Sequence, residues 1–501
     1  MSTVRFFTIT IFLALLALGV ASPAIELPDF GDSAGGAVSP EQERSLGQQL
    51  VRHLRHQSAL IDDPELEAYI QALGLRLAAT SDNPAQSFTF FLVNDPSINA
   101  FAAPGGFIGT HAGLILNAET ESELAGVLAH EIAHVTQRHM ARTFEKASQL
   151  SIPMAAAMLG AILIGTQNPE AGQAALAAVS AGSAQYQLDF TRSNEEEADR
   201  VGIETLIRAG FDPEGMPAFF ERLHRSNRLA ENAQLPEFLR THPVTVSRIA
   251  DARNRLARLP RKPHADSLDF HLARARLQLA GAHSRRDAVA YFRDRRDGAD
   301  ATRAAAARYG YALALTDLRD YTQARKEIDI LLRKDAENPA YLLAAAQIAL
   351  AAERNAEALE LYARTARLYP NFRPVVLAYT RARLRAGDAA GARQLLRDYA
   401  LNHEPDIAYY GLLAEAEGKA GSQTEAQIAI AEQRYLLGET ELARNQFRFI
   451  QRSAGIDHYQ RQRVEARLKE VEQTLKEEEE SGDNRLPIGT RLRFQVKPPA
   501  N

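Results

Sequence analysis

Four alanines, Ala324, Ala358, Ala392 and Ala426, stand 34 residues apart, each inside a similar small-residue helical pattern. A unit of that length cannot bury its apolar face alone, so copies must stack into a solenoid with one continuous core. Ala290 falls in the same register. Pro339, Pro370 and Pro405 lie near the unit ends, and Gly387 and Gly421 at the turns within units. The repeats span about 268–480, with a charged closing helix at 461–480 and a tail at 481–501. A polar, proline-containing stretch at 259–267 separates them from the half ahead. A chain of 501 residues leaves that half long enough for a core of its own.

The N-terminus has the three-part layout of a secretory signal peptide: Arg5, an apolar run over 6–21, then small residues to Ala24. A retained membrane anchor is the rival reading, but the run is short for a span of about 20 residues. A net charge of −5 and the lack of a basic stripe argue against a nucleic-acid partner. The chain has no cysteine, so it forms no disulfide and carries no Cys-linked lipid. After a Gly, Ser and Pro-rich linker at 25–40, a first domain is expected over 41–258. It should open with a helix pair over 41–79 and hold a small sheet, with strands at Ser87 to Val93 and Gly106 to Thr110. Two alanine-rich apolar stretches within 152–184 read either as a packed hairpin or as a lid or peripheral membrane contact beside the active site.

The chemistry concentrates in a helix expected from Thr120 to about Phe144, opened by the capping box Thr120-Glu121-Ser122-Glu123. Within it lies His130-Glu131-Ile132-Ala133-His134. A spacing of four puts both imidazoles on one helical face a turn apart, close enough to share one zinc ion, with Glu131 beside them as a base. A catalytic zinc usually has three protein ligands, so a third must come from elsewhere. Glu195 is the candidate. It opens Glu195-Glu196-Glu197-Ala198-Asp199-Arg200, in a second helix capped by Ser193 or Asn194. Asp199, one turn on, is placed to accept the second imidazole proton of a ligand histidine. Glu196 and Glu197 read as a solvated acidic face, and His111 and His139 as structural or surface histidines.

These motifs, with Asn99-Ala100-Phe101-Ala102-Ala103-Pro104-Gly105-Gly106 and Thr241-His242-Pro243, resemble the M48 family of zinc metallopeptidases, and the downstream half resembles the tetratricopeptide repeat. The fold class expected is mainly α: a zincin-like M48 catalytic domain with a small β-sheet, followed by an α-helical tetratricopeptide-repeat solenoid. The resemblance implies that His130, His134 and Glu195 bind one Zn2+ and that Glu131 is the catalytic base. It further implies a periplasmic endopeptidase in the assembly and quality control of outer-membrane β-barrel proteins, hydrolysing misfolded or stalled substrates. Its repeats would dock onto β-barrel assembly machinery or onto unfolded or misassembled outer-membrane proteins. Two alternatives stand beside this: repeats that only cap the protease, and a chaperone or assembly scaffold whose zinc site is latent or structural. The resemblance also implies that His242 can take the fourth zinc position as a latch; a surface-loop or transition-state donor role is the alternative. Arg248 is a candidate to stabilise the oxyanion. Gly106 to Thr110 reads as an edge strand for an extended substrate, or as an ordinary strand.

Overall fold

The computed structural model describes residues 39–57, 59–143, 145–146, 191–229, 237–257, 264–453 and 455–483. The expected signal peptide, most of the linker, the apolar stretches at 152–184 and the tail from 484 onward lie outside the described residues. Among the described residues, no helix is long and apolar enough to cross a membrane.

Helix α1 (Pro40–His56) starts on a reciprocal cap, the Ser39 hydroxyl taking the Gln42 N–H while the Gln42 side chain takes the Ser39 N–H. Helix α2 (Pro64–Ala78) starts on Asp63 and buries Leu66, Ile70, Leu73 and Leu77, a stripe at helical spacing. Strands β1 (Thr89–Val93), β2 (Ala100–Ala103) and β3 (Phe107–His111) form a sheet in the order β1-β3-β2, with β3 parallel to β1 and antiparallel to β2. The strand expected at an edge, Gly106 to Thr110, is therefore the central one. The edge opposite β1 is β2, whose Ala-Phe-Ala-Ala sequence lacks the β-branched residues that mark a strand.

After α3 (Ala112–Asn117), helix α4 (Glu121–Thr136) runs through the middle of the domain, its residues from Glu121 to Ala133 all buried. Thr120 caps it by accepting from the Glu123 N–H, while the Glu123 side chain reaches back to the Glu119 N–H. This helix does not continue to Phe144: it stops at Thr136, Arg138 adopts a left-handed φ of 52°, and a new helical segment starts at 139. Helix α5 covers residues 191–208, so Ser193 and Asn194 sit inside it rather than capping it. Helices α6 (Gly215–Leu229), α7 (Glu237–Thr241) and α8 (Val246–Leu256) close the domain over one core.

Beyond it α9 (Leu268–Ala280) and α10 (Arg285–Arg293) lead into helix pairs, among them α11 (Ala301–Asp317) with α12 (Tyr321–Lys334), and α13 (Pro339–Ala351) with α14 (Asn355–Leu368). Ala324, Ala358, Ala392 and Ala426 are all buried. Ala290 is only half-buried and Ala288 takes the core position instead, so the first unit departs from the register.

A second 34-residue recurrence emerges in the backbone: Arg319, Glu353, Gly387 and Gly421 all have positive φ, from 61° to 84°. Each follows the first helix of a unit, where a left-handed residue lets the next N–H reach back, as Arg354 does to the Ala349 carbonyl at 2.9 Å. Glycine takes this conformation freely, whereas Glu353 holds it against its own Cβ. Because Glu353 is exposed, Glu353→Gly is expected to stabilise the protein by about 1 kcal/mol, read as a higher melting temperature; a lower one would show that its side chain, not the backbone, matters there.

The two halves are joined by charge and by core. Arg276 of α9 pairs with Asp63 and Glu65 in the first turn of α2, the Tyr309 hydroxyl donates to Glu65, and Arg373 pairs with Glu67. Phe270 and Leu277 of α9 belong to the same core as Leu66 and Leu128. The acidic first turn of α2 thus anchors the solenoid beside the first domain.

Candidate metal centre

Helices α4 and α5 cross closely because Gly202 lacks a side chain. A Cβ there would lie 3.1 Å from the His130 nitrogen and 3.2 Å from the Ala129 carbonyl carbon, tighter than ordinary contact. Ala133, Ala198 and Val201 pack at the same crossing. This approach carries Glu195, seven residues before Gly202, to the two histidines of α4.

His130 Nε2 lies 3.0 Å from His134 Nε2 and 3.3 Å from Glu195 Oε2; His134 Nε2 lies 3.4 Å from Glu195 Oε1. His242 joins them, its Nδ1 3.0 Å from Glu195 Oε1 and 3.3 Å from His130 Nε2. These four residues offer donor atoms all within 4.8 Å of one another, a set that could hold a metal ion. Asp199 Oδ1 is 3.0 Å from His130 Nδ1, on the side of the ring away from the cluster. The Glu131 carboxylate is buried beside it, takes a hydrogen bond from the Ala102 backbone and approaches His242 Nε2 at 3.5 Å. Its Oε1 has no hydrogen-bond partner among the described residues. A buried carboxylate oxygen left open at the cluster is what a reacting water or an ion-bound group would satisfy.

The electrostatics favour positive charge. Burial alone would push the His130 imidazole down, but the Asp199 and Glu195 carboxylates outweigh it and take it up to about 9. Glu195 is held well below the usual carboxylate range, its burial overcome by His242, His130 and His134. Burial pushes His134 down to about 3, so it is a neutral ring with a free lone pair. The field that holds a proton on His130 would hold a divalent cation in its place, and the donor types, imidazole and carboxylate, suit one.

Arg248 grips Asp199 with two N–H groups at 2.7 Å each, reaches Glu195 Oε2 at 2.9 Å and donates to the Pro243 carbonyl at 2.9 Å. Its guanidinium is engaged by the carboxylates behind the histidines, a geometry that orients them rather than receiving a substrate oxygen. The ring of His242 stacks on buried Phe238 at 5.0 Å, and the His242 backbone N–H donates to the Phe238 carbonyl at 2.7 Å. Two further residues reach the site. His139 Nδ1 is 2.8 Å from His134 Nδ1, and Glu197 accepts from both His139 and Arg142. Glu196 is exposed as expected, whereas Glu197 is half-buried and paired with His139 and Arg142. Spacing could not reveal this, since only the break at Arg138 lets His139 fold back.

A cleft of about 400 Å³ opens onto these groups, lined by Phe101 to Gly105 on one wall and by Arg138, Met140 and Asn194 among others.

Fold and site together define a metalloendopeptidase with a helical-repeat domain docked against its catalytic core. The chain belongs to peptidase family M48, whose family model matches residues 64–256, and a tetratricopeptide-repeat model matches 349–416. It is 37% identical over 468 residues to the beta-barrel assembly-enhancing protease of Escherichia coli, covering 92% of this chain and 95% of that one. The protein of that name from Yersinia pestis is 37% identical over 414 residues, covering 82% of this chain and 85% of its own. A shorter match, 34% identical over 167 residues, is to the mitochondrial metalloendopeptidase OMA1 of Arabidopsis thaliana, covering 33% of this chain and 31% of that one. The family, the fold class and the enzyme class expected from the motifs agree with these matches.

Proposed function

We propose that the protein is a zinc-dependent endopeptidase of the periplasm, acting in assembly and quality control of outer-membrane β-barrel proteins, with His130, His134 and Glu195 as its zinc ligands. The observation that carries the zinc reading is the spacing of the donors. Bonds of about 2.0 Å place tetrahedral ligands about 3.3 Å apart; five of the six pairs among His130, His134, Glu195 and His242 lie 3.0 to 3.4 Å apart, and the whole donor set lies within 4.8 Å. Zinc, when bound, lowers the pKa of water toward about 7 and polarises the scissile carbonyl.

The chain's own groups do the rest. Glu131 takes the proton of the attacking water and returns it to the leaving amine, one carboxylate serving both half-steps. Asp199 fixes the tautomer of His130, and Arg248 positions Asp199 and Glu195. Strand β2, at the edge of the sheet among the described residues, is placed to pair with an extended substrate along the cleft, with Ala102 already linked to Glu131. His242 would complete the donor set as a latch in the resting state.

The setting in barrel assembly rests on the relatives, whose names give that role, and a repeat solenoid supplies a binding surface suited to protein partners. Unfolded or misassembled outer-membrane proteins and the assembly machinery are the partners proposed. The second reading, a scaffold whose zinc site stays latched, is favoured by the place His242 takes among the donors. Metal analysis of purified protein paired with casein cleavage tests the proposal: about one zinc per chain is expected, with cleavage stopped by a chelator and restored by Zn2+. Cleavage indifferent to the chelator would sink it.

A further inference from the structure

On an unbroken helix His139, five residues beyond His134, would point about 140° away from it and could not touch its ring. The left-handed Arg138 ends α4 and restarts the helical segment one residue later, and this folds His139 back over His134. His139 is 3% exposed, its Nδ1 2.8 Å from His134 Nδ1 and its Nε2 3.1 Å from Glu197 Oε2. Arg142 Nη2 holds that same oxygen at 2.6 Å.

We propose that His139 and Glu197 form a relay that positions His134 as a metal ligand, resting on the zinc reading above. The bond directions fix the protons. The Glu197 carboxylate, pinned by Arg142, accepts, so His139 Nε2 carries the hydrogen and donates it. His139 Nδ1 is then an acceptor and takes the hydrogen on His134 Nδ1. That leaves the lone pair of His134 on Nε2, the atom facing His130 and Glu195. The other tautomer would present an N–H to the ion and could not bind it. The two ligand histidines thus have different supports, a direct carboxylate from Asp199 for His130 and a carboxylate acting through a second imidazole for His134. His139 and Glu197 are positioning residues; neither touches substrate.

The test is the Zn2+ affinity of the purified full chain, measured by competition with a chromogenic chelator. His139→Ala is expected to weaken Zn2+ binding by about 10- to 100-fold, the usual range for loss of an outer partner of a metal ligand. In His139→Asn the amide oxygen takes the place of Nδ1 and still accepts from His134, so affinity is expected to return to within a few-fold of wild type. A role in packing alone would not be rescued this way, and two variants that bind equally weakly would overturn the relay. So would an unchanged affinity in His139→Ala. If that variant does not fold, Glu197→Ala, at a half-buried position, reads the same chain: weaker Zn2+ binding supports it and wild-type binding overturns it. A wild-type protein that takes up no Zn2+ overturns the zinc reading and the relay together, whereas normal wild-type uptake with an indifferent His139 overturns the relay alone.

Discussion

Glu131→Gln is expected to keep its zinc and to lose cleavage of an unfolded substrate by about 100- to 10,000-fold, the contribution of a positioned proton acceptor. Glutamine has nearly the same volume and can still accept from the Ala102 backbone, so the surrounding packing has no reason to move. It cannot take a proton from water, and it carries no charge. The Glu131 carboxyl sits at a site where burial pushes its pKa up, partly offset by His242 and His130. Neutralising a charge that burial already disfavours should leave stability unchanged or slightly raised, in contrast to most losses in a core. Three measurements on one sample separate the possibilities: zinc content, melting temperature and kcat/KM on casein. Cleavage at the wild-type rate would remove Glu131 from the mechanism, and loss of zinc would mean that it supports the ion instead.

The reach of the sequence ended where the backbone departs from regular geometry. His130, Glu131 and His134 were legible because a helix fixes what a spacing of four means, and Glu195 with Asp199 because the same rule applies to the second helix. The small residue that lets the two helices approach, Gly202, carries no such rule; glycine within a helix reads as a cost until its neighbour is seen. β2 was missed because its alanines are poor strand formers on any scale, yet the sheet accepts them where β3 supplies the ladder and Phe101 packs on Phe91. Spacing reads His139 only as a structural or surface histidine, and Glu197 as part of a solvated face, for a related reason. Their roles depend on Arg138 adopting a left-handed conformation that an arginine enters only when the fold over-determines it. The repeat register, by contrast, was legible to the residue from Ala324 onward, since every unit must solve the same close crossing with the same small side chain. Arg248 shows the limit in chemistry: its type suited an oxyanion partner, but two acidic neighbours from α5 claim it.

His242→Ala is expected to raise basal proteolysis by roughly tenfold, since the histidine and the reacting water compete for one position and a bias of about 1.4 kcal/mol corresponds to that factor. The competition follows from placement: His242 contacts Glu195 and His130 at the distances the ligands keep among themselves, and its Nε2 faces Glu131. A group there would stand in the way of both the reacting water and the base. The ring is held by Glu195 and by the stack on Phe238, and its loop follows one short helix, α7, which the Phe238 N–H ties to the Ile98 carbonyl and the Ser97 hydroxyl's 3.4 Å contact ties at Glu237. Release as a latch requires a local movement of α7 and the loop after it, without unfolding the core. Removing the ring leaves Glu195, His130 and His134 in place, so zinc content should stay near one per chain. Activity that falls while zinc is retained would instead make His242 a donor to the transition state, and a matching loss of zinc would make it a required ligand. The rise should also need Glu131: the double variant with Glu131→Gln should be as inactive as the single one, because unlatching a site without its base exposes nothing that can act.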